Sequence, residues 1–258
     1  MELQRLLLPN VGPYRVETRR AEGAPWMLLA EAFDESLARD EATGPPEPPE
    51  VGALVRLLDP LGTLVGLWVG TGGSLADPGP PPSSLGRHGA DWLAAWEGGD
   101  EAGHVLLSAA GEVDPARLAL VACDAALAVA RHLLPSSDAL GRALVEARRA
   151  LDAEGAPAAA PPARGHKKST TTVACNAAHN AAHEALDAHR ASQRGDPLGA
   201  QGHAVRALHN AARARGGPLG PDHATVRRYL LPHVRRHLPL AIVLLARAGQ
   251  PTPRGLVL

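Results

Sequence analysis

The chain has 258 residues, 45% of them hydrophobic and 21% charged, with a formal net charge of −1. That is the balance of a globular protein with enough chain for one large core or two small ones. Its apolar content is 49 Ala and 38 Leu against only 7 aromatics, so small side chains packed in helices are expected, and stacking platforms for single-stranded nucleic acid are all but excluded.

The basic side chains are 24 Arg with only Lys167 and Lys168, which together with abundant Ala, Gly and Pro reads as the coding bias of a GC-rich bacterium. Charge is uneven along the chain. Residues 1–110 carry 16 acids and 7 bases, and residues 111–258 carry 11 acids and 19 bases. Nine arginines follow residue 202 against the single acid Asp222. A basic end suits a polyanion, but attraction between the halves, or oppositely charged partners, accounts for it with fewer assumptions. Cys123 and Cys175 make no disulfide framework and point to a reducing compartment. Met1–Pro9 lacks a basic lead and a long apolar run, and Leu240–Ala246 is too short to span a bilayer. A cytoplasmic protein without a membrane partner is expected.

Residues 1–75 read as a small α+β region. Tyr14–Thr18 alternates as a strand, Gly23-Ala24-Pro25 turns, and Trp26–Ala30 is a second strand or a short helix. Gly44–Pro49 is loop. Leu54–Leu58 and Thr63–Val69 flank Asp59-Pro60-Leu61-Gly62 as an antiparallel hairpin. Residues 76–89 form a Pro/Gly linker, and residues 90–258 a helical domain with a flexible Ala/Pro loop at 155–168.

Within that domain Ala90–Glu97 predicts a short helix with Trp92 and Trp96 on one face, and another piece lies around His104–Ala110. Asp114-Pro115 opens a helix running to Leu134. Its middle, Leu118–Ala130, holds one charge, Asp124, and such a helix belongs at the centre of a bundle. Ser137-Asp138 begins a helix with the stripe Leu140, Leu144, Ala147 and Leu151. Helices follow from about Ser169 to Gln193 and from Pro197 to Arg215, the second capped by Asp196. The tail, Asp222–Ala248, is helical and broken at Pro232 and Pro239. The fold class is mainly α: an Ala-rich helical bundle preceded by a small α+β region.

The most chemically suggestive spacing is Cys175, His179 and His183, a helical stripe with Asp187 one turn on and Glu184 beside it. Neighbouring pairs can chelate zinc, but the outer two lie roughly 12 Å apart along the axis. A three-ligand site therefore needs help from another helix, and packing residues explain the same pattern. His183-Glu184-Ala185-Leu186-Asp187 lacks the second histidine of a zinc-protease helix. Lys167, Lys168 and Ser169 end like a phosphate loop without its first glycine or preceding strand; they are an anion-binding candidate at a helix start, or a solvated linker end. Gly70–Ser74 fails as a dinucleotide loop and as a nucleophile elbow, because Asp77-Pro78-Gly79-Pro80 forbids the helix both require. Arg227, Arg228, Arg235 and Arg236 make a basic face for phosphates or an acidic protein surface on a continuous helix; Pro232 interrupts it, and a solvated face fits as well. Asp124 is expected to pair with one of these arginines or with Arg117 or Arg131.

Asp91-Trp92-Leu93-Ala94-Ala95-Trp96-Glu97, Arg117–Asp124 and Val145–Leu151 resemble segments of the all-helical immunity proteins of bacterial toxin–antitoxin and conflict gene clusters. Cys175–Ala214 is similar to that family's later part. The likeness covers about residues 90–215 and departs from the family at Leu120-Val121, where an aromatic commonly stands. It implies a non-catalytic helical scaffold that binds protein, and it carries over no catalytic residue.

Three functions follow as expectations. The leading one is a non-enzymatic protein-binding scaffold without a cofactor, either immunity-like or a subunit of a bacterial defence or conflict assembly. Its acidic N-terminal region would meet a basic partner, with Trp92 and Trp96 as core filling or interface anchors. The second is a helical-bundle enzyme holding Zn on Cys175, His179 and His183, with Glu184 or Asp187 as general base. The third is nucleic-acid association through the basic C-terminal region.

Overall fold

The structure, a computed structural model, describes residues 12–21, 23–45, 48–79, 93, 113–134, 138–153, 172–216 and 230–252. It is mainly α, with seven helices among the described residues and a five-stranded antiparallel sheet near the N-terminus. The chain divides into two compact units: the sheet with its helix, together with residues 244–251, and the helices between residues 95 and 243.

In the first unit the alternating Tyr14–Thr18 lies in β1 (Tyr14–Arg19), the more continuously apolar stretches form β2 (Met27–Ala32), β3 (Leu54–Leu58) and β4 (Leu64–Gly70), and a two-residue β5 (Leu75–Ala76) completes the sheet. The order is β2-β1-β3-β4-β5, with every pair antiparallel. The predicted hairpin is β3–β4. Asp59 closes its turn by accepting from the Leu61 and Thr63 amides at 2.8 and 2.7 Å, and Gly62 supplies the left-handed φ of 83°. Trp26–Ala30, left open between strand and helix, lies in β2 from Met27 onward.

A helix that the sequence reading omits, α1 (Glu35–Thr43), connects β2 to β3. Asp34 caps it, accepting from the Ser36 and Leu37 amides. Its buried stripe is only Ala38 and Ala42, too small an apolar signal to stand out among five charged neighbours. Those alanines meet Val16, Val55, Leu57 and Trp68 in the core of this unit. Trp68 folds back over Gly66 two residues earlier on the same face, where a Cβ would collide with the indole.

The helical unit is built around α2 (Pro115–Leu133), which opens as its sequence predicts: Asp114 accepts from the Ala116 amide at 2.9 Å ahead of Pro115. Arg117 to Leu127 are all buried, and α2 packs against α3 (Ala139–Ala153), α4 (Thr172–Gln193), α5 (Pro197–Gly216) and α6 (Leu231–His237). Asp138 caps α3 through the Leu140 amide, and Asp196 caps α5 through the Gly199 amide.

Helices α4 and α5 pack on each other through alanine. Ala174, Ala178, Ala181, Ala185 and Ala188 are buried at alternating steps of four and three, and Ala200, Ala204, Ala207, Ala211 and Ala214 repeat that rhythm. This is a coiled-coil spacing filled with the smallest side chain that still favours helix, which lets two backbones approach closely.

Pro232 stands in the first turn of α6 as that α-helix is bounded, the helix following directly on Leu230 in helical backbone, and a break falls at Leu238-Pro239 before α7 (Leu240–Arg247). Of the predicted helix at residues 90–97 only Leu93 is described, helical and buried; the helix predicted at residues 104–110, most of the linker and the 155–168 loop lie outside the described residues. No helix among the described residues is long and apolar enough to cross a membrane.

Candidate functional site

Two features collect chemistry. The first is a buried ionic cluster. Asp124 Oδ1 accepts from Arg148 Nε at 2.5 Å, and Oδ2 accepts from His237 Nε2 at 2.8 Å. Arg148 Nη1 also lies against Asp152, one turn further along α3. The three central side chains are 3–6% exposed. Among the described residues the partners of Asp124 are thus Arg148 and His237, in place of the Arg117, Arg131 and C-terminal arginines that the sequence suggested. Arg117 instead donates to the backbone carbonyl of His237 at 2.9 Å, satisfying an acceptor at the C-terminal end of α6.

Burial alone would raise the Asp124 pKa. The hydrogen bonds from His237 and Arg148, with their charges, outweigh it and hold the carboxyl at about 2. Arg148 loses by burial and gains more from Asp152 and Asp124, so it stays charged. Burial, and then the Asp124 carboxylate, push the Cys123 thiol up to about 12, which leaves it a packing residue and no nucleophile at neutral pH. The cluster locks α2, α3 and α6 together with its polar groups turned on one another.

The Cys/His stripe is real as a stripe on α4, but its members have different neighbours. Half-buried Cys175 faces the carbonyl of Leu133 at 3.7 Å, His179 Nε2 lies 3.6 Å from Asp138, and His183 is exposed. Among the described residues no three His, Cys, Asp or Glu side chains are gathered as a metal site. Glu184 turns instead to α5, accepting from His203 Nδ1 at 2.7 Å and Arg206 Nε at 2.9 Å, while Asp187 pairs with Arg190 on its own helix. Of the proposed basic face, Arg235 is half-buried and Arg236 exposed, on a helix of seven residues. Trp92, Trp96, Arg227, Arg228, Lys167, Lys168 and Ser169 lie outside the described residues.

The second feature, which sequence reasoning missed, is the outer edge of the sheet. Among the described residues β2 is the terminal strand and hydrogen-bonds only to β1. Met27, Leu28 and Leu29 are 47, 56 and 47% exposed, and Phe33, at the end of the strand, is 84% exposed. Leu37 on the outer side of α1 adds a fifth large apolar side chain at 60%. A bulge contributes: Val16 faces Ala30 and Glu17 faces Leu28, so Leu29 is an extra residue with no opposite number in β1. Beside this edge Trp26 is clamped by Arg19 and Arg56, whose guanidinium carbons stand 4.6 and 4.1 Å from the ring centre. Arg56 is in turn held by Glu17. The signal in the sequence was Met27-Leu28-Leu29 followed by Phe33, an apolar run without the polar alternation of a half-covered strand.

No family model matches this chain, and no curated protein and no solved structure matches it either.

Proposed function

We propose that the protein is a non-enzymatic, cytoplasmic protein-binding scaffold: an alanine-rich helical bundle that carries its docking surface on the N-terminal sheet. The observation behind this reading is the cluster of Met27, Leu28, Leu29, Phe33 and Leu37, five large apolar side chains within eleven residues, all about half exposed or more. Isolated exposed apolar residues are ordinary; a run of them at a strand edge is the composition of an interaction surface. The buried cluster supports the same reading, since Asp124, Arg148 and His237 are committed to one another and hold helices together. The resemblance of residues 90–215 to helical immunity proteins adds a kind of work, the neutralising or assembly of another bacterial protein.

The test compares proteins captured from native extract by the wild type and by a Leu28→Lys, Phe33→Ser variant of equal thermal stability. A partner held by the wild type and lost by the variant supports the proposal. Identical captures by both would overturn it.

A further inference from the structure

The edge of β2 offers a backbone as well as side chains, and its rim has a sign. Between residues 31 and 41 stand Glu31, Asp34, Glu35, Asp40 and Glu41 against one base, Arg39; across the strand pair Arg15 stands opposite Glu31, 3.8 Å from the Glu17 carboxylate, so acids still outnumber bases here. Glu35 already engages Arg39 at 2.9 Å. Asp40 and Glu41 are exposed at the far end of α1, and Glu31 is exposed in the strand itself. Antiparallel pairing of two β2 strands would bring two such acidic rims together, which like-charge repulsion opposes. An extended segment with apolar side chains and lysine or arginine between them fits these features: an edge of β2 that no other described strand pairs, exposed apolar side chains at Met27, Leu28, Leu29 and Phe33, and exposed acids in the strand at Glu31 and along α1.

We infer that β2 is a strand-addition site for a basic, apolar-alternating extended segment of another protein, added alongside Met27–Ala32. This rests on the protein-binding reading above and names the partner's chemistry and its mode of docking. The bulge at Leu29 fits the role. It interrupts regular pairing along the strand, so the edge resists indiscriminate sheet growth, while a segment of matching register still gains the bonds on either side.

The probe is a capped peptide of alternating isoleucine and lysine, matching the six residues of β2, titrated into the full chain and read by fluorescence anisotropy. Its counterparts carry glutamate in place of lysine, or methyl groups on alternate backbone nitrogens in either of the two registers. Strand addition predicts binding of the lysine peptide and binding weaker by about tenfold or more for the peptide methylated in the bonding register, which loses ladder hydrogen bonds. The other methylated register binds as the parent does. The glutamate peptide is weak on the wild type and gains on a Glu31→Lys, Asp40→Lys, Glu41→Lys variant. Bound peptide slows amide exchange within residues 27–32.

Equal binding of both charge types, equal binding of both methylated registers, or no binding at all would each overturn the inference. So would concentration-dependent dimerisation that Leu28→Lys abolishes, since the occupant would then be a second copy. If the peptides fail while the Leu28→Lys, Phe33→Ser variant still loses a captured partner, strand addition falls and the protein-binding proposal stands.

Discussion

His237 Nε2 donates to Asp124 Oδ2 at 2.8 Å across 113 residues of sequence, and both side chains are almost completely buried. The pair joins the last turn of α6 to the middle of α2, and Arg148 brings α3 onto the other carboxylate oxygen. A charge placed in a helix that is buried continuously from Arg117 to Leu127 is tolerable only because both of its oxygens are engaged.

Removing the acid should therefore cost more than removing a surface charge. Asp124→Asn takes from buried Arg148 one of its two carboxylate partners, leaving only Asp152, and from His237 its carboxylate, and a loss of about 3–5 kcal/mol is expected. Urea denaturation of wild type and variant measures it. The triple replacement Asp124→Leu, Arg148→Met, His237→Leu should recover most of that loss, because it removes all three of the most deeply buried groups and leaves only the part-exposed Asp152; a triple variant weaker than Asp124→Asn contradicts this account.

The same cluster sets the acid limit of stability. The Asp124 carboxyl is held at about 2 against 3.8 for a free group, so the unfolded chain binds a proton that the folded one does not. Its contribution, about 2 kcal/mol, is complete above pH ~4 and is lost as pH falls toward ~2. Half-buried His233 adds an earlier step in the same direction. Burial lowers its pKa below 6.5, so protonation favours the unfolded chain as pH drops through that value. Denaturation midpoints across acid pH should show two declines, with His233→Asn removing the first and Asp124→Asn flattening the second.

The alanine seam between α4 and α5 should tolerate little added volume. Ala181→Leu or Ala211→Leu places a branched side chain where both residues are fully buried, with an expected cost of about 1–3 kcal/mol. Asn180→Leu, on the exposed side of α4, should change stability by no more than about 0.5 kcal/mol. Melting curves followed by helical circular dichroism distinguish the two positions.

Gly70 and Gly73 provide a matched contrast at the end of β4. A Cβ on Gly70 would collide with the backbone carbonyl of Glu50, which cannot swing aside as a side chain can, and Gly70 also exchanges backbone bonds with Ala53 and Gly52. Gly70→Ala is expected to cost about 1–3 kcal/mol. Gly73 has open space around the Cβ direction, and Gly73→Ala should be neutral or stabilising by about 0.4–1 kcal/mol. Thermal unfolding of the two variants tests the difference.

Several elements were legible because their causes are local. The Asp114-Pro115 start of α2, the Asp138 and Asp196 caps and the Asp59–Gly62 turn each depend on hydrogen bonds spanning two to four residues. Such contacts are written in short spacings. The central position of α2 was also readable, since a helix apolar all round has nowhere else to go. Helix α1 was not, because two alanines and a cap make no visible stripe. The Cys175, His179, His183 stripe was correctly placed on a helix, yet spacing on one helix says nothing about which side chains a neighbouring helix turns toward it.

The sequence by itself determined where most strands and helices begin and end, that α2 is buried, and that Asp124 needs a partner. Only the tertiary structure decided that the partners are Arg148 and His237, 24 and 113 residues away, and that among the described residues β2 is an outer strand of the sheet, with Leu28 and Phe33 in the open. The division has a physical reason. Propensity, capping and turn chemistry act within one or two turns of chain, whereas strand order and ion pairing depend on which faces the completed elements present to each other.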